Sequence, residues 1–234
     1  MNNLPLSINI LFIVTTFLTV WQFYAASGKS KTVLFGLMAW MLFQAIIGLT
    51  GFYRGVQSMP PRFILLIGPG ILFTIILFIT QRGRNFIDRL DIQKLTILHT
   101  LRIPVEITLY FVFIAGLIPA IMTFEGNNYD VLSGISAIII YYFTFVKHFF
   151  NKTTLLIWNF ICLGLLLNIM ILAILAAQTP FQQFAFEQPN IGVTFFPFVW
   201  LPAVVVPIVL CAHLAAIRQL ILLLRDPNRR STTL

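Results

Sequence analysis

Apolar residues in this chain neither alternate nor keep to one helix face. They run together in blocks of about 20 separated by short polar stretches, the length a helix needs to cross roughly 30 Å of hydrocarbon. Segmenting on those blocks predicts seven helices, at about 5–26, 32–53, 63–81, 95–123, 131–150, 154–178 and 195–224. The expected fold is an all-α polytopic membrane protein, residues 1–234 forming a single seven-helix transmembrane domain. The first block ends in small residues, Ala25, Ala26 and then Ser27, as at a signal-peptide cleavage site. It has no basic residues before it and is too long for a signal peptide, so it reads as a span that is kept.

Composition agrees with the pattern. Hydrophobic residues make up 59% and charged residues 9%, against roughly a quarter charged in soluble domains. The mean hydropathy is +0.94. This leaves little for a soluble catalytic domain and argues against a nucleic-acid module, even though the formal charge is +8.

The distribution of that charge gives an orientation. Lys29, Lys31, Arg82, Arg84, Arg89, Lys94, Lys147, Lys152, Arg225, Arg229 and Arg230 fall on one side of the seven predicted spans, and only Arg54 and Arg62 on the other. Basic loops stay in the cytoplasm, so the N-terminus is expected outside, the C-terminus inside, and anionic lipids at the cytoplasmic face. The expected location is the bacterial inner (plasma) membrane. The opposite connectors are acidic and rich in amides, and Glu125, Asp130 and Glu187 are read there as an outer vestibule. Phe181, Phe184, Phe186, Phe195 and Phe196 in the last of them read as an interfacial aromatic belt.

The remaining basic residues, Arg102 and Arg218, lie inside apolar runs. Ionisable groups in lipid are costly and mark functional positions. Arg218 is near the cytoplasmic end of the last span and is expected to snorkel to the headgroups. Arg102 has company in the stretch LHTLRIPVEITLY. His99, Arg102 and Glu106 sit at i, i+3 and i+7, within about 60° of one another around a helix. Pro104 interrupts this stripe and withholds a backbone donor, a device of transport and ligand sites. An internal Arg102–Glu106 ion pair is the plainer alternative. His213 in the last span is expected at the same depth as Glu106 and is the predicted partner across the bundle.

These residues support three functions. The leading one is a transporter or permease with a midplane site for a small solute, proton or ion, built from His99, Arg102, Glu106 and His213. The second is an intramembrane enzyme in which His99, His213 and Glu106 hold a metal such as zinc or iron. The third is a structural or assembly subunit of a membrane complex. No cofactor is predicted, although a haem between His99 and His213 is conceivable. The sequence has no HxxxH pair, no Gly-rich phosphate loop and no G-x-S-x-G elbow. Cys162 and Cys211 lie in apolar runs as small buried residues.

Overall fold

The computed structural model describes residues 4–55 and 61–225. Arg229 and Arg230, which enter the charge count above, lie outside the described residues. The described chain is helical, its only β pairing a lone bridge between Ala177 and Asn190. Its helices are α1 (Leu6–Ala26), α2 (Lys31–Leu49), α3 (Arg62–Ile79), α4 (Gln81–Ile87), α5 (Ile92–Leu98), α6 (Arg102–Ile114), α7 (Val131–Tyr141), α8 (Lys152–Leu175) and α9 (Val206–Arg225). A 3₁₀ turn at His99–Leu101 joins α5 to α6, and π-helical turns extend α7 to Val146 and precede α9 from Leu201.

Among the described residues six helical stretches are long and apolar enough to cross a membrane: Leu6–Ala26, Lys31–Leu49, Arg62–Ile79, Ile92–Ile114, Lys152–Leu175 and Leu201–Arg225. The stretch predicted as the fifth of seven spans is shorter, Val131–Val146. The Leu201–Arg225 span is 72% buried, against 17% for each of Lys31–Leu49 and Arg62–Ile79. Thus α9 is the central post, while α2 and α3 stand at the periphery.

The basic connectors gather at one end. Asp91 N–H donates to the Ala26 carbonyl, Gln219 donates to the Ile87 and Leu90 carbonyls, and Arg218 pairs with Asp88 at 2.7 Å. The expected snorkelling of Arg218 thus ends on a carboxylate. The polar stretch after α3 is a connector that folds: Thr80 caps α4 by accepting from Gly83 N–H, and Asp91 caps α5 by accepting from Gln93 and Lys94.

Proline breaks near α9 are repaired from neighbouring helices. Pro207 cannot donate to the Ala203 carbonyl, and the Trp40 indole N–H donates to it instead at 2.9 Å. In the reverse direction the Trp200 indole donates to the Met41 carbonyl at 2.9 Å. Trp40→Phe keeps an aromatic side chain, though a smaller one, and removes the donor to the Ala203 carbonyl. It is expected to cost about 1–3 kcal/mol in detergent unfolding followed by circular dichroism. An unchanged midpoint would show that the Ala203 carbonyl finds another donor.

Three predicted boundaries need correction. The fourth span ends at Ile114, not 123: Gly116 takes a left-handed φ of 78° and Pro119 follows, so the helix cannot continue. The seventh begins at Leu201, because the stretch 195–199 is irregular. The second ends at Leu49, not 53, because Gly51 with φ 74° turns the chain.

The largest departure concerns residues 115–130. These residues do not stay at the bundle's end but fold back into it, because Asn128 reaches Glu106, about 12 Å below the end of α6 at 1.5 Å per residue. Asp130 then meets Arg102, and Gly134 packs against Ile103 and the Arg102 side chain. Consequently α7 starts midway through the bundle and runs back to the basic end, where Ile140 and Phe145 share a core with Ile92 and Leu155. Its 16 residues (Val131–Val146) cover only part of the bundle's depth.

Candidate functional site

The stripe His99, Arg102 and Glu106 is buried, the three residues being 1%, 3% and 2% exposed. The 3₁₀ turn ends at Leu101, so Pro104 falls in the first turn of α6, where its missing N–H costs little. The Pro104 carbonyl accepts from Thr108 Oγ1 at 2.8 Å.

Each member of the stripe finds a different partner. Glu106 accepts from Asn128 Nδ2 at both carboxylate oxygens, at 2.8 and 2.7 Å. The same amide donates to the Met122 carbonyl, and its oxygen accepts from Asp130 N–H at 3.0 Å. One buried side chain therefore ties the returning segment both to α6 and to the start of α7. Arg102 pairs with Asp130 at 2.8 Å. The alternative Arg102–Glu106 ion pair is not the one formed. Asp130, expected in an outer vestibule, is 5% exposed and neutralises Arg102 inside the bundle. Glu125 and Glu187 are exposed, so the three acidic residues read as that vestibule do not form one group.

His213 does not meet Glu106. Its ring stacks on His99 with centroids 3.8 Å apart and planes 12° from parallel, and Nδ1 is 2.9 Å from Asn159 Oδ1. Trp158 closes the cluster, 5.6 Å from His99 and 6.0 Å from His213. The register differs from expectation because Gln219 is bonded beside Ile87 and Leu90. The end of α9 thereby projects below α5, and His213 is level with His99, about 10 Å short of Glu106. Among the described residues no three His, Cys, Asp or Glu side chains are placed to hold a metal, so the set His99, His213 and Glu106 is not assembled. Stacked imidazoles also point their lone pairs along parallel planes, whereas ligands of one ion must converge on it at about 2.0 Å. The same geometry leaves no gap between these rings for a haem.

What the site does contain is a cavity of about 70 Å³ between α3, α6, α8 and α9. Its walls are apolar, from Phe63, Val105, Leu166, Ile169, Val205 and Val209, except where Arg102, Glu106, Asp130 and Asn190 face it. Arg102 Nε and Nη2 have no hydrogen-bond partner among the described residues, nor has Asn190 Oδ1. Buried donors of this kind are rare and favour a ligand with acceptor oxygens. A second cavity of about 200 Å³ lies towards the end opposite the basic connectors. It is lined by Tyr53, Arg54, Gln178, Thr179 and Thr194, and shares Phe63 and Asn190 with the first.

Four of these residues were not singled out in the sequence. Asn128 and Asn190 sit in stretches that read as hydrated connectors, Arg54 entered only the charge count, and Asn159 is, with Asn168, an amide inside an apolar run. That last feature was the usable signal, since an amide inside a span needs a partner.

A family model described as "Domain of unknown function (DUF8737)" matches residues 59–221, and the chain belongs to this family. The matched stretch begins after α2 and contains His99, Arg102, Glu106, Asn128, Asp130, Asn159 and His213. No curated protein and no solved structure matches the chain.

Proposed function

We propose that this member of the DUF8737 family is a permease of the bacterial inner (plasma) membrane that moves a small, oxygen-bearing solute together with a proton. The observation that carries the reading is Arg102, buried beside Glu106 in a cavity and holding two nitrogens, Nε and Nη2, without hydrogen-bond partners among the described residues. A broken helix, a returning segment at mid-depth and a partial helix beginning there are features of transporter sites, where irregular backbone is tolerated beside protein or water.

In this reading Arg102 receives the solute's acceptor group and Asp130 keeps the guanidinium in place. Glu106 takes up and releases the proton, and Asn128 holds its carboxylate. His213 stacks on His99 with Nδ1 on Asn159 and does not line the cavity, so the proton's work is assigned to Glu106, which does. The chain crosses seven times when Val131–Val146 and its mid-depth return are counted as one crossing. The N-terminus is outside and the C-terminus cytoplasmic, from the excess of Lys and Arg at one end. The outer mouth is then the cavity beside Arg54, Gln178 and Thr179 rather than Glu125 and Glu187.

The test is uptake of a panel of labelled small carboxylates into proteoliposomes under an inward proton gradient. Wild type is expected to accumulate at least one of them. Glu106→Gln is expected to lose gradient-driven accumulation at least tenfold while remaining folded. Equal accumulation by the variant removes Glu106 from the mechanism, and no accumulation by wild type removes the transport reading.

A further inference from the structure

Two cavities outside this site meet at Phe86, at the basic end of the bundle. The first, of about 450 Å³, is a groove between α2, α3 and α9. Thr32, Gly36 and Trp40 line it at helical spacing along α2, about 12 Å of groove at 1.5 Å per residue. Phe73, Thr74 and Leu77 of α3 and Pro207, Ile208 and Cys211 of α9 form the facing walls. Two of its polar groups are already spent, Trp40 on the Ala203 carbonyl and Thr74 on the Gly70 carbonyl. Phe73 is 61% exposed, so the groove opens outward between peripheral helices. Gly36 leaves it unfilled: a Cβ built there meets nothing within 4 Å.

The second cavity, of about 400 Å³, is of opposite character. It is lined by Ser27, Ser30, Arg82, Asn85, Phe86 and Arg89. Arg82, Asn85, Phe86 and Arg89 fall at i, i+3, i+4 and i+7, so α4 and the turn after it present them on one face. Neighbouring arginines are engaged, Arg84 by Gln81 and Arg218 by Asp88. Arg82 and Arg89 are exposed and have no side-chain partner among the described residues.

An apolar groove running into a pocket that holds two uncommitted guanidiniums matches an amphiphile with an anionic head and a hydrocarbon tail. We propose that this is a seat for one anionic phospholipid, its phosphate between Arg82 and Arg89 and an acyl chain in the groove between α2, α3 and α9. Arginine suits the phosphate because its fork donates two parallel hydrogen bonds. The seat is independent of the transport reading, since it shares no residue with the cavity at Arg102.

The experiment is native mass spectrometry of the full chain in mild detergent. It is titrated separately with phosphatidylglycerol, phosphatidylcholine, a dihexanoyl phosphatidylglycerol and inorganic phosphate. Wild type is expected to retain phosphatidylglycerol at concentrations at least tenfold below those needed for the other three. The double variant R82Q/R89Q is expected to lose about tenfold for phosphatidylglycerol and to match phosphatidylcholine. Gly36→Leu fills the groove and is expected to weaken phosphatidylglycerol to the level of its short-chain analogue. Both variants lie where the structure has room, and an unchanged melting temperature confirms their fold. Equal retention of phosphatidylcholine, or no effect of R82Q/R89Q, overturns the headgroup assignment. Inorganic phosphate bound as tightly as the long-chain lipid, with Gly36→Leu indifferent, makes this a free-anion site and overturns the proposal.

Discussion

Asp130→Ala is expected to cost about 3–5 kcal/mol, because it leaves Arg102 charged, 3% exposed and without its counter-ion. No nearby carboxylate can replace Asp130 without loss: Glu106 is bound by Asn128 at both oxygens. The remaining contact to Arg102, from the Cys162 carbonyl, is long at 3.4 Å. The penalty belongs to the orphaned charge rather than to the pair, which predicts non-additivity. Adding Arg102→Met to Asp130→Ala removes the orphan and is expected to recover at least half of the loss. Unfolding in mixed micelles followed by tryptophan fluorescence measures all three variants. A double variant as unstable as the two singles summed would show that the pair is not what holds α7 against α6.

Asp130 also marks the limit of what the sequence could tell. Apolar blocks located each of the six candidate crossing helices within a few residues at one or both ends, since block length is set by hydrocarbon thickness alone. The stripe was legible because His99, Arg102 and Glu106 fall within one apolar block, and the 3₁₀ turn at His99–Leu101 still leaves all three buried. The meeting of His99 with His213 was nearly legible, and failed only in depth, through a projection of α9 that depends on Gln219 reaching Ile87 and Leu90.

The returning segment was not legible for a chemical reason. Asn127, Asn128 and Asp130 have the composition of a hydrated loop, and the same residue types are needed to satisfy a buried carboxylate and guanidinium. Residues 115–123 then read as more helix, although Gly116 followed by Pro119 is a stop signal inside them. Glu125 and Glu187 did behave as exposed connector residues, because nothing buried is bound to them. Asp130 differs from them through its partner, and partners across a bundle are not written in local sequence.

Gly126→Ala tests whether the return depends on that segment's packing. A Cβ at Gly126 would lie 2.4 Å from the Ala120 carbonyl oxygen and 2.5 Å from the Ile121 Cα. Both are backbone atoms of the same loop, so no side chain can rotate away and the loop itself must open. The loop is closed by Asn127 N–H on the Ile121 carbonyl and by Asn128 N–H on the Thr123 carbonyl. Opening it therefore moves Asn128 away from Glu106. The expected cost is about 3 kcal/mol, the upper end for overpacking. Gly164→Ala is the control: its added Cβ meets nothing within 4 Å, and alanine favours the helix by up to about 1 kcal/mol. Hydrogen–deuterium exchange is expected to rise across residues 115–130 in Gly126→Ala while α8 stays protected, and gradient-driven uptake to fall as in Glu106→Gln. Exchange and uptake equal to wild type would mean that the contact between Asn128 and Glu106 survives without a close-packed loop, and that the return into the bundle is held by Asp130 alone.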